Sequence, residues 1–133
     1  MALPNGSGGY QVGDGNLGEP LFFPQGAPTA LTAAATATAA QLVNGLFTFN
    51  VTAGDLTLPT VAVLEAAYPS MSEKVNSAFD FYVINIDATT DDVTVKESSG
   101  WTPVGNMVVT EATSGHFRAR KTGDGAWTVY RVS

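Results

Sequence analysis

Histidine, carboxylates and exposed aromatics are the residues through which this chain could do chemistry. It holds one histidine, His116, and no cysteine. A nucleophilic mechanism needs a nucleophile beside a base. His116 follows Gly115 at the head of a strand-like stretch, so its spacing predicts a strand-pairing residue. One histidine without thiolates cannot build a tetrahedral zinc site, and disulfides are excluded. Asp87, Asp91 and Asp92 fall in one turn and offer oxygen ligands for calcium. They lack the Asp-x-Asp-x-Asp-Gly pattern with a distal Glu, and turn aspartates ordinarily bond to nearby backbone. Asp80 lies in the strongest strand and is a candidate for a glycosidase carboxylate pair, but nothing in the sequence marks a cleft around it. Gly6–Gly9 and Gly13–Asn16 resemble phosphate loops only in glycine content, with no Gly-Lys-Ser/Thr following. Trp101, Trp127, Tyr130 and Phe117 could stack on sugars or bases, yet their strand spacing predicts core or interface. The residues therefore predict a protein that is not an enzyme and carries no metal or cofactor.

Composition narrows the partners. Charged residues make up 14% of the 133 residues, against about 25% in average soluble domains. A surface poor in charge suits burial against another protein, because burying charge is costly. The net charge is −6 with only six basic residues. Phosphate backbones demand clustered Lys and Arg, so nucleic acid is not expected as a partner. Four of the six cations, Arg118, Arg120, Lys121 and Arg131, lie near the C-terminus, where strand alternation accounts for them. No apolar run approaches the ~18 residues of a membrane span, so no membrane partner is expected. The first residues carry neither a basic nor an apolar signal region.

Two parts of different character are predicted: residues 1–28 as an extended arm and residues 29–133 as a β-domain. Residues 1–28 contain seven glycines and four prolines. Glycine raises the entropy lost on ordering and proline blocks ladder hydrogen bonds, so this stretch cannot build its own core. It is not a plain linker, because Tyr10, Val12, Leu17, Leu21, Phe22 and Phe23 are embedded in it. These six are the candidate partner-contact residues. Leu21–Phe22–Phe23 between prolines reads as an apolar anchor, packing either on its own domain or, as expected here, on a neighbouring subunit.

The elements that must position these residues are mostly short strands. Residues 29–40 mix alanine and threonine and lean towards strand. Gln41–Gly45 reads as a turn. Leu46–Val51, Leu56–Leu58, Ser77–Asp87, Val93–Lys96 and Met107–Thr110 read as strands. Ser77–Asp87 has apolar residues on both faces, which marks a central strand. Thr60–Pro69 is the one helix expected, with Thr60 as its cap and Pro69 as its stop. His116–Lys121 and Ala126–Val132 form a hairpin through Thr122–Gly125. The fold class expected is all-β, an antiparallel β-sandwich or jelly-roll-like barrel with one short helix and an extended N-terminal arm.

Several stretches also carry a family likeness. The opening Met1–Leu17, Leu56–Pro59, Phe79–Asn85, Gly100–Asn106, Arg118–Gly123 and Tyr130–Val132 resemble small virion proteins of tailed bacteriophages. The closest resemblance is to capsid decoration, or cement, proteins. What it implies is a homotrimer on the outer capsid surface, bound to the major capsid protein and reinforcing the shell after expansion, with the arm reaching along the shell or onto a neighbour. No individual functional residue carries over. The alternative expectation is a trimeric tail-fibre or spike module that binds a host receptor or glycan through Trp101 or Trp127.

Overall fold

The computed structural model describes residues 24–133 apart from Val51 and Ala53. All six anchor residues of the arm, Tyr10, Val12, Leu17, Leu21, Phe22 and Phe23, lie outside the described residues. Among the described residues ten strands dominate, as the sequence predicts, but three helices join them rather than one.

The chain alternates between two sheets. β1 (Thr29–Leu31), β3 (Leu46–Phe49) and β5 (Ala78–Asn85) belong to a large sheet. β2 (Ala35–Thr36), β4 (Gly54–Thr57) and β6 (Val93–Lys96) belong to a small one. Each return to a sheet comes after a visit to the other, so consecutive strands within a sheet run parallel. The result is a flattened coil of three turns, with Leu31, Phe49 and Asn85 stacked in one sheet and Ala35, Leu56 and Val95 in the other. The last four strands close it. β7 (Trp101–Val104) takes the far edge of the large sheet and β8 (Val108–Val109) that of the small one. The hairpin of β9 (Ser114–Gly123) and β10 (Ala126–Arg131) fills the large sheet between β5 and β7. Five of the eight pairings are parallel and three antiparallel. Both sheets are therefore mixed, which corrects the expected antiparallel sandwich or jelly roll. The physical reason is that the corners between the sheets use the same Gly, Ser, Thr and Asn residues as hairpin turns.

Three helical segments bridge the layers. α1 (Ala39–Asn44) stands where strand and turn are expected. Thr38 accepts a hydrogen bond from the Gln41 backbone N–H, and the Gln41 side chain accepts one from the Thr38 N–H. That reciprocal capping box satisfies two orphan donors, and Gly45, at φ 80°, ends the helix in the left-handed region. α2 (Val61–Ala67) begins at Thr60 as expected, and α3 (Pro69–Ser72) follows it at once. α2 is under two turns long, too short to stand alone, and it is held by burying Val61 and Leu64.

The core lies between the sheets. Phe47, Phe49, Phe81, Phe117 and Trp127 project inwards from the large sheet and are fully buried, and Leu56, Val93, Val95 and Val109 meet them from the small one. The Phe81 and Phe117 rings stack at 5.2 Å. Trp101 and Trp127 meet at 6.0 Å, tilted by 52°. Each such side chain removes roughly 150–250 Å² from water, so these rings dominate the burial. Asn85 is the polar bridge. Its side chain donates to the carbonyls of Asp91 and Val109 and accepts from the Asp87 N–H, so this buried amide is itself fully paired.

Candidate interaction face

The strands of the large sheet alternate in and out, so one set of side chains forms an outer face. Leu46 and Thr48 on β3 stand beside Tyr82 and Ile84 on β5, which stand beside His116 and Ser114 on β9. Next to these come Asp80 and Arg118, then Tyr130 and Val104. β5 is an interior strand of the sheet, as expected, yet its outer side chains stay open. Tyr82 is 45% exposed and Ile86 is 54% exposed. Val104 on β7 and Val132 after β10 are exposed on the same face.

A polar cluster crosses the middle of this face. Arg118 grips Asp80 with two hydrogen bonds, Nε to Oδ1 at 2.6 Å and Nη2 to Oδ2 at 2.9 Å. His116 Nε2 lies 3.0 Å from Asp80 Oδ2, and its ring stacks on Tyr82 at 4.5 Å. The Arg118 fork, opposed by partial burial and aided by His116, holds the Asp80 carboxyl down at about 2. Arg120 donates to the Tyr130 hydroxyl and to Asn76 Oδ1. His116 and Asp80, separate candidates in the sequence, are thus brought together by strand register. Arg118 occupies both carboxylate oxygens, and no serine, threonine or tyrosine hydroxyl bonds to His116 among the described residues. The arrangement is a cross-strand ion cluster on an open sheet.

The other candidates go elsewhere. Asp87 accepts from the backbone N–H and the hydroxyl of Thr89, the local pattern expected of a turn aspartate. Those bonds hold its carboxyl below the usual range. Among the described residues no group of three or more His, Asp or Glu could hold a metal ion. Trp101 and Trp127 are buried, and their indole N–H groups donate to Pro59 O and Glu65 Oε1. Both are core residues, as their strand spacing predicts, and so do not present the groove that the tail-fibre alternative expects of them. Glu65 also accepts from Lys121, whose side chain is 3% exposed. The Lys121 hydrogen bond is the main reason the Glu65 carboxyl is lowered.

The root of the arm is the feature that sequence reasoning missed. Residues 24–28 run exposed past the end of α1, where Asn44 clamps them. Asn44 Oδ1 accepts from the Gly26 N–H at 3.0 Å, and Nδ2 donates to the Ala27 carbonyl at 3.0 Å. Gln25 Nε2 donates to the Asn44 carbonyl at 2.9 Å. A side chain at position 26 would collide with Asn44, whose Oδ1 would lie 2.5 Å from an added Cβ. Gly26 was legible as arm glycine; its partner 18 residues on was not. Comparison with protein families, curated proteins and solved structures finds no match to this chain.

Proposed function

We propose that the protein is a non-enzymatic structural virion subunit that binds the outer surface of a tailed-bacteriophage capsid as a decoration, or cement, protein. In this reading it assembles as a homotrimer, contacts the major capsid protein and stabilises the shell. The observation that carries the reading is the outer face of the large sheet. Among the described residues, Tyr82, Ile86, Val104 and Val132 are large apolar side chains left exposed on it. Exposed apolar side chains set around a paired ion cluster, on an open sheet face, suit contact with another protein. The sparing use of charge and the sequence resemblance point the same way. Repetition over a symmetric shell multiplies modest contacts through avidity.

The tail-fibre or spike alternative loses its main support, since Trp101 and Trp127 are core residues. Reconstruction of particles bearing the protein tests the choice. Density over the head at regular lattice positions is the expected result. Density confined to the tail would sink the proposal.

A further inference from the structure

Two arginines on the outer side of β9 are held in opposite ways. Arg118 is matched by a carboxylate, Asp80, which accepts two of its hydrogen bonds. Arg120 is matched by no carboxylate among the described residues. Its guanidinium is nonetheless fixed on two sides by neutral acceptors. Nε and Nη2 donate to the Tyr130 hydroxyl at 3.1 and 2.7 Å, and Nη1 donates to Asn76 Oδ1 at 2.7 Å. The Tyr130 ring lies against it, with Cζ 5.7 Å from the ring centroid. Asn76 is anchored in its turn: it takes the left-handed region at φ 74°, and its N–H donates to the Lys121 carbonyl on β9 at 2.9 Å. A guanidinium carries five N–H donors, one on Nε and two on each terminal nitrogen. Three are engaged here, which leaves one on Nη1 and one on Nη2. Arg120 is therefore an oriented cation with its charge unmatched and its rotamer freedom already given up.

We propose that Arg120 seats a carboxylate, an Asp or Glu side chain on the protein that the outer face meets. The identity of that protein rests on the capsid reading, under which it is the shell protein. A carboxylate offers two acceptor oxygens to the two remaining N–H groups, and a charge-assisted pair of this kind is stronger than the neutral bonds that hold the guanidinium now. Charge favours a protein over a phosphate polymer. Nucleic acid or an anionic lipid surface brings dense negative charge against a chain of net charge −6, and Arg118, the other arginine of the face, is already neutralised by Asp80. The face thus supplies one unmatched arginine, which suits one acidic side chain. The surroundings add an apolar requirement. Val104 lies opposite Tyr130 across β7 and β10 and stays exposed. The complementary surface is an acidic side chain with an apolar neighbour, the first on Arg120 and the second over Val104.

The arginine Nε–H resonances of the full-length protein read the seat directly. The probe is N-acetyl-Leu-Glu-Leu-amide, titrated beside N-acetyl-Leu-Gln-Leu-amide. The expected result is a saturable shift of the Arg120 resonance, with the Glu peptide binding about tenfold more tightly than the Gln peptide. No movement at Arg120, or equal binding of the two peptides, would overturn the proposal. So would a stronger response to inorganic phosphate, which assigns the seat to a phosphate ligand, or a shift on raising the protein concentration alone, which assigns it to a second copy. Sedimentation with particles then separates the seat from the capsid reading. Arg120→Gln should need about tenfold more protein for half coating, and Arg120→Lys, which keeps the charge without the fork, should fall between it and wild type. Arg120→Gln coating as wild type does would overturn the inference and leave the capsid reading standing. A wild type that takes the Glu peptide at Arg120 but coats no particle would support the seat and sink the capsid reading.

Discussion

Lys121 and Arg118 stand three residues apart on β9, yet they illustrate the two faces of one sheet. Lys121 points inwards with 3% of its side chain exposed, against Glu65 and Trp127. Arg118 points outwards with 53% exposed, against Asp80. An inward charge has lost its hydration and depends on its partner, whereas an outward one is screened by water. The inner face thus secures the fold, and the outer face is free to be shaped by contact with something else.

The largest effect expected comes from the inner pair. Glu65→Ala strands a buried ammonium and is expected to lower unfolding free energy by about 3–5 kcal/mol in denaturant titration. Adding Lys121→Met should recover most of that loss, since an apolar side chain of similar length needs no counter-charge. If the double variant is as unstable as the single one, packing rather than charge governs the inner face.

Next comes the arm root. Asn44→Ala removes the side-chain bonds to Gly26 and Ala27, at sites open to water. A loss of about 1 kcal/mol is expected, with faster amide exchange at Gly26. Unchanged exchange would mean that the clamp does not hold the arm.

Of similar size is the outer ion cluster. Asp80→Asn should cost about 1 kcal/mol near neutral pH after allowance for its partial exposure. The sign with pH follows from the lowered carboxyl. Its stabilisation is fully present above the unfolded value of 3.8 and is lost as pH falls through about 2. The wild type should therefore lose stability over that window relative to the variant. Parallel acid curves would show that Arg118 contributes nothing there.

The smallest stability effect belongs to the β7 edge of the outer face. Val104→Ser should stay within about 0.5 kcal/mol of wild type. The same variant should coat particles less fully in a sedimentation assay if the face meets the shell. Full coating would separate this face from assembly.

How much was legible depended on the range of the interaction. The hairpin at Gly123–Gly125, the Thr60-capped helix and the strand around Phe81 were readable, because each is signalled within a few residues. α1 was missed although its signal was present: Thr38 and Gln41 have the spacing of a capping box, outweighed by the alternating threonines before them. The direction of strand pairing was not readable at all. A corner that carries the chain across to the other sheet and a turn that folds it back use the same residue types. Only the position of the partner strand separates them.

The same division holds for the candidate site. That His116, Asp80 and Arg118 are strand residues follows from local alternation. Their meeting does not, because it requires Asp80↔Arg118 and Tyr82↔His116 register across 34 or more residues of chain. The amino-acid order by itself determined a β-rich, charge-poor domain without cysteine, preceded by a glycine- and proline-rich stretch that also carries large apolar residues. Those properties are local, set by composition and by periods of two or four residues. Tertiary structure alone decided the parallel coil, the exposure of Tyr82 and Ile86 among the described residues and the seating of Gly26 and Ala27 on Asn44. Each of these depends on which distant segment fills the space beside a given strand, and that choice is made by the shared core.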